Sequence, residues 1–227
     1  MSEDAQESIS QRYAKLRAEV PAGVGIVAVT KFQPVEAIRE AIAAGVTDIG
    51  ENYLQEAREK FPLLPPGVRK HFIGHVQTNK AKAIVSAFDV VQSVDRLDAG
   101  RALAKAAEAL NKRLPVLVQL NISPMERFGC KPEDAEELAN ALRALEALQL
   151  EGVMAIGPLT ADREEVAGAF DTAAQVFRRV GGTTLSIGMS DDWREAVRAG
   201  STMIRVGTTL FGQRPAARAS KSSAMSS

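Results

Sequence analysis

The sequence predicts an α/β protein built as a single (β/α)8 TIM-type barrel with an extra N-terminal helix. Short apolar runs rich in β-branched residues alternate with helical repeats in one uninterrupted series of about eight βα units. The length of 227 residues is that of one such barrel. The turn after the first strand reads Thr30-Lys-Phe-Gln-Pro34, without the glycine fingerprint of an open, doubly wound sheet.

Each element has its own justification. Asp4 to Val20 mixes charges with good helix formers and spaces Ile9, Tyr13 and Leu16 as a leading helix. Gly25 to Val29 is a doubly buried strand, and Pro34 opens a helix carrying Ile38, Ala41 and Ile42 that Gly45 stops. The unit then recurs: strand Val46 to Gly50, helix Leu54 to Phe61, strand Lys70 to Gly74, helix Thr78 to Phe88, strand Asp89 to Ser93. Asp95 is expected to cap a long helix running to about Arg113. Strand Leu114 to Asn121 follows, then helix Glu133 to Leu148, strand Leu150 to Ile156 and helix Asp162 to Val180. Strand Thr183 to Ile187, helix Asp191 to Ala199 and strand Thr202 to Val206 complete the series. The barrel is assigned to residues 1–212, and 213–227, poor in apolar periodicity, to a disordered tail.

Composition narrows the function. Lys+Arg and Asp+Glu balance at 28 each, so no global field invites nucleic acid or an anionic membrane. No apolar run approaches the roughly 20 residues of a membrane span. The single cysteine, Cys130, forbids an internal disulfide and has no base beside it, which fits a small buried thiol. The acidic, polar start argues against a targeting peptide, and a cytoplasmic protein is expected.

In a barrel, chemistry collects on the loops that follow the strands. Lys31 follows the first strand, as a rim ion-pair partner or as an amine able to attack a carbonyl. Loops after strands 7 and 8 of barrels frequently hold phosphate; here they offer Ser190, Gly207 and Thr208, although Ser190 alone could simply cap the next helix. Arg205, inside the last strand, needs an acceptor: Glu51, Asp191 or a ligand ring nitrogen. His71 and His75 straddle a strand end with no third ligand, so no metal site is expected.

Taken in order, these segments resemble the pyridoxal phosphate homeostasis protein family. The matches include Ala28-Val-Thr-Lys31, Asp48-Ile-Gly-Glu-Asn-Tyr53, His71-Phe-Ile-Gly-His-Val-Gln-Thr-Asn-Lys80, Gln119-Leu-Asn-Ile-Ser123, Leu185-Ser-Ile-Gly-Met-Ser-Asp-Asp192 and Gly200-Ser-Thr-Met-Ile-Arg-Val-Gly-Thr208. The resemblance implies a barrel similar to the N-terminal domain of alanine racemase, binding pyridoxal 5'-phosphate (PLP) as an internal aldimine on Lys31. It further implies Arg205 against the pyridine nitrogen, phosphate contacts from Ser190, Gly207 and Thr208, and Asn52, His75 and Met154 lining the pocket. Arg127 departs from the lysine that many members carry, and an arginine cannot form an imine. The expected role is non-enzymatic PLP homeostasis, with a weakly active PLP-dependent racemase as the alternative. Expected partners are PLP and PLP-dependent apo-enzymes, with no nucleic acid or membrane, for a monomer or weak dimer.

Overall fold

The computed structural model describes residues 7–212, so the expected tail at 213–227 and the first residues of the leading helix lie outside the described region. Eight parallel strands close into a barrel in sequence order, the first pairing with the last. They are β1 (Gly25–Val29), β2 (Asp48–Glu51), β3 (Arg69–Phe72), β4 (Val90–Val94), β5 (Leu114–Asn121), β6 (Leu148–Ile156), β7 (Thr184–Ser186) and β8 (Met203–Val206). The helices are α1 (Ile9–Glu19), α2 (Val35–Ala43), α3 (Leu54–Lys60), α4 (Ala81–Ala87), α5 (Leu97–Ala109), α6 (Ala135–Arg143), α7 (Arg163–Val180), α8 (Trp193–Arg198) and α9 (Thr208–Phe211).

Strand alternation separates two environments. Val153 and Ala155 of β6, and Ile204 and Val206 of β8, pack outward into the shell between sheet and helices. Met154 and Arg205 therefore occupy the inward face. One outer cluster runs from α3 through α8, centred on Phe88, Leu103, Leu142 and Phe170. A second joins α1, α2 and α9 to β1, β2 and β8 through Leu16, Ile38, Ile49 and Leu210. The extra helix is thus part of the shell, with a Ser8–Gln11 capping box at its start.

Three expectations shift locally. Asp95 does not cap α5: the helix begins at Leu97 behind Arg96, and Asp95 pairs with Arg96 at 2.8 Å instead. The sixth helix is shorter than 133–148, because Leu148 is taken into β6 opposite Leu114. Pro34 stands just before α2, its ψ of 154° leaving the helix to start at Val35. Among the described residues no helix is long and apolar enough to cross a membrane, and no cluster of three metal-ligating side chains occurs.

Candidate functional site

Register brings Lys31 and the β8 loop together. β1 pairs with both β2 and β8, Val29 opposite Gly50 and Ala28 opposite Val206. Continuing two residues past Val29, half-buried Lys31 lies between the Asn52 loop and the Gly207–Thr208 loop. Phe32, directly after it, is held at φ 62°, a left-handed conformation costing a non-glycine residue about 1–3 kcal/mol. Its N–H donates to Glu56 Oε2 at 2.8 Å and its ring packs 5.4 Å from that of Tyr53. Strain of this kind, next to the candidate nucleophile, marks a backbone fixed by its surroundings.

Glu51 does much of that fixing. Fully buried, it accepts from Thr30 Oγ1 at 3.0 Å and from the N–H groups of Asn52 at 2.7 Å and Tyr53 at 3.1 Å, with Lys60 Nζ 3.5 Å away. Burial pushes its carboxyl above the ordinary range, against those donors and the Lys60 charge. Lys60 also donates to the Thr30 carbonyl at 3.0 Å, so the Glu51–Lys60 pair ties the chain entering Lys31 to α3. The sequence reading did not single out Lys60; its only signal was the i, i+4 spacing from Glu56 on a short helix.

On the other side, Ser190 is not a helix cap. α8 starts at Trp193, and Ser190 Oγ accepts from Gly207 N at 3.2 Å and Thr209 N at 3.3 Å, stitching the β7 loop to the β8 loop. Gly207 has an ordinary φ of −117°, and a methyl built on it would meet only Val29, at 3.7 Å. Neither backbone conformation nor protein packing requires glycine here. The space beside Gly207 and the donors that converge on a hydroxyl oxygen fit an oxyanion. Thr208 is exposed at the start of α9.

Arg205 pairs with neither Glu51 nor Asp191. Buried inside the barrel, it donates from one terminal nitrogen to Ser186 O at 2.7 Å and Ser186 Oγ at 2.8 Å, and from the other to Ala155 O at 2.9 Å. Burial lowers it to about 10, opposed by the Asp192 carboxylate, so it stays cationic at neutral pH. Three of its five N–H donors are thereby committed, leaving two for an acceptor.

Asn52 and His75 line a cavity of about 800 Å³ at the mouth, with Tyr53, Gln119, Arg127 and Phe128 among its walls. His75 stacks on Phe128 with ring centroids 4.0 Å apart. Asn52 Oδ1 and His75 Nδ1 are buried without a hydrogen-bond partner among the described residues, a cost that a ligand's polar groups would remove. Gly74 permits this arrangement, since a methyl there would lie 2.0 Å from the Asn52 carbonyl. Met154 is fully buried on the inner face of β6, level with Gln119 and Ser186. The structure thus joins Lys31, Ser190, Gly207 and Thr208 at neighbouring strand ends, sets Asn52 beside Lys31 and His75 one strand further round the mouth, and holds Arg205 and Met154 within the barrel.

Residues 5–215 match the family model described as alanine racemase, N-terminal domain. The chain is 41% identical to the pyridoxal phosphate homeostasis protein of Pseudomonas aeruginosa, over 91% of this chain and 96% of that one. It is 39% identical to the protein of the same name from Escherichia coli K12, over 86% and 87%. Among solved structures, PipY of Synechococcus elongatus PCC7942 with PLP bound superposes with a TM-score of 0.85 at 36% identity, covering 90% of this chain and all of that one. Alanine racemase of Clostridium difficile 630 gives a TM-score of 0.77 at 15% identity, a likeness of fold alone; the match covers 92% of this chain and 58% of the racemase.

Proposed function

The chain belongs to the alanine racemase N-terminal domain family, with relatives named pyridoxal phosphate homeostasis protein, and from that premise we propose that it binds PLP and acts in PLP homeostasis as a carrier. PLP, when bound, supplies an aldehyde, a pyridine nitrogen and a phosphate. The observation that supports the reading is the placement of Lys31 and of the Ser190, Gly207 and Thr208 donors at the ends of neighbouring strands, with open space beside Gly207. Lys31 is the amine that holds the aldehyde end covalently. Gly207 N and Thr209 N, released when the Ser190 hydroxyl turns to donate to the phosphate itself, hold that phosphate together with the Ser190 and Thr208 hydroxyls. Arg205 offers its two uncommitted N–H groups to the ring nitrogen, while Asn52 and His75 satisfy their unpaired atoms against the ring's polar substituents.

This donor set favours holding over turnover. A guanidinium donating to the pyridine nitrogen keeps that nitrogen unprotonated, which weakens the ring as an electron sink. Racemisation needs a proton acceptor on each face within about 2.6–3.2 Å of the proton it moves. Lys31 serves one face; in this reading Tyr53, half-exposed against Phe32, and His75, stacked on Phe128, are mouth-lining groups and not the second base. The deciding experiment is a visible spectrum of the protein with PLP, then borohydride reduction and peptide mapping. A pyridoxyl group fixed on the Lys31 peptide is expected; label recovered only on another lysine would sink the assignment. Racemisation of alanine, serine or glutamate near the usual enzyme median of about 10 per second would sink the carrier reading.

A further inference from the structure

Barrel interiors are ordinarily filled by branched aliphatic side chains. Here a file of polar side chains crosses the interior from β8 to β2. Arg205 donates to Ser186 Oγ at 2.8 Å, and Ser186 donates to Gln92 Oε1 at 2.7 Å. The Gln92 amide lies 2.9 Å from His71 Nδ1, and His71 Nε2 lies 2.9 Å from Asp48 Oδ1. Ser186, Gln92, His71 and Arg205 are all buried, and Val27 of β1 stands in register with both ends of the file. Only Asp48 reaches solvent, where Thr47 Oγ1 also donates to it at 2.7 Å.

One arrangement of hydrogens satisfies the file. Arg205 can only donate, so the Ser186 proton must go to a different acceptor, and Gln92 Oε1 is within reach. That turns the Gln92 amide nitrogen toward His71 Nδ1, which must then be the unprotonated ring nitrogen; the same amide also contacts Met203 Sδ at 3.3 Å. His71 Nε2–H is left to donate to the Asp48 carboxylate. Every donor therefore points the same way, from the guanidinium to the carboxylate, and such aligned chains polarise one another.

We infer that Gln92 and His71 are positioning residues for Arg205, forming with Ser186 and Asp48 a buried hydrogen-bonded wire that fixes the guanidinium's orientation toward its ligand. The inference rests on the reading of Arg205 as donor to the PLP ring. Neither Gln92 nor His71 touches the ligand. The wire holds one terminal nitrogen of Arg205 while the Ala155 carbonyl holds the other, so the free N–H groups keep a single direction. An aliphatic filling would pack the same space and leave the guanidinium held by carbonyls alone.

The test begins with 15N-histidine NMR on the full chain, which has two histidines, the His71→Gln variant assigning the signals. Without added PLP, His71 is expected to be neutral and protonated at Nε2; a cationic ring or the Nδ1–H tautomer overturns the wire. Saturating PLP should shift the His71 Nδ1 resonance, and an unmoved resonance overturns its link to Arg205. Gln92→Leu, which fills the space and removes both polar ends, should weaken PLP binding about tenfold or more and displace the visible band. Gln92→Glu, which still accepts from Ser186, should bind more tightly than Gln92→Leu and convert His71 to the doubly protonated form. Unchanged affinity in Gln92→Leu, or equal weakening in both variants, overturns the proposal. A wild type that does not bind PLP at all would overturn the functional reading instead, and the histidine spectrum of the ligand-free protein would still decide the wire.

Discussion

Gly207→Ala separates the fold's need for glycine from the ligand's. The added methyl would sit 3.7 Å from Val29 Cβ and 3.9 Å from the Val29 carbonyl oxygen, ordinary contact distances, at a φ of −117° that any residue can adopt. Loss of unfolded-state freedom then adds about 0.4–1 kcal/mol of stability. In a chain of this size that raises the melting temperature by about 1–4 °C. The ligand is affected in the opposite sense. A methyl on the open side of the loop pushes an anion away from the Gly207 and Thr209 N–H groups, and each charge-assisted hydrogen bond lost costs about 1.5–3 kcal/mol. One lost bond corresponds to roughly 10–150-fold weaker binding. The assay is a spectrophotometric PLP titration alongside thermal melts with and without saturating PLP. The variant should melt at or above wild type alone, and gain less from PLP. Unchanged PLP affinity would refute the assignment of the recess to phosphate; a lower melting point for the ligand-free variant would refute the claim that packing leaves room for the methyl.

Pyridoxal lacking the phosphate should bind the wild type far more weakly than PLP, and equal affinities in competition titrations would remove the phosphate anchor from the proposal. Lys31→Ala should lose the borohydride-fixable adduct, measured by intact-mass spectrometry; an adduct of wild-type yield in the variant would contradict the assignment. Gly74→Ala should destabilise the fold by about 1–3 kcal/mol, because its methyl would stand 2.0 Å from the Asn52 carbonyl; denaturant midpoints equal to wild type would contradict that packing. Burial would by itself raise the Asp48 carboxyl, but hydrogen bonds from His71 and Thr47 and the nearby Arg69 charge outweigh it and hold it below the ordinary 3.8. Its folded value is the lower one, so its contribution is present above about 3.8 and is lost as pH falls through the folded value. Urea midpoints should therefore fall less steeply with acid in Asp48→Asn than in wild type below about pH 4. Burial pushes the Cys130 thiol up to about 12, so alkylation by iodoacetamide at pH 8 should be slow in the native protein and fast in urea.

The order of elements was legible in the sequence because each strand and helix carries its own periodicity. β1 shows it as a β-branched run, and α7 as Val166, Phe170, Ala173 and Phe177 on one face. The strand ends could also be read, since in a barrel they form one set of loops, and Lys31, Ser190, Gly207 and Thr208 were found that way. Boundaries set by competition were not legible: Leu148 continues a helical stripe yet pairs with Leu114, because closing the barrel offers it a backbone partner. Asp95 has the chemistry of a cap but is drawn to Arg96 and toward His75.

What tertiary structure alone decided are the contacts between residues far apart in the chain. Ser190 reads locally as a helix cap; only the adjacency of β7 and β8 gives its oxygen two N–H donors from the next loop. Lys60 reads as a surface i, i+4 partner of Glu56; only the pairing of β1 with β2 brings it to the Thr30 carbonyl and Glu51. The wire from Arg205 to Asp48 has no local signature, because its five residues lie on β2, β3, β4, β7 and β8 and meet only when the barrel closes. Periodicity tells which face of a strand is buried, but a doubly buried strand has two such faces. Which of them turns inward, and what it meets across the interior, is fixed by closure and register, to which residues contribute from the whole length of the chain.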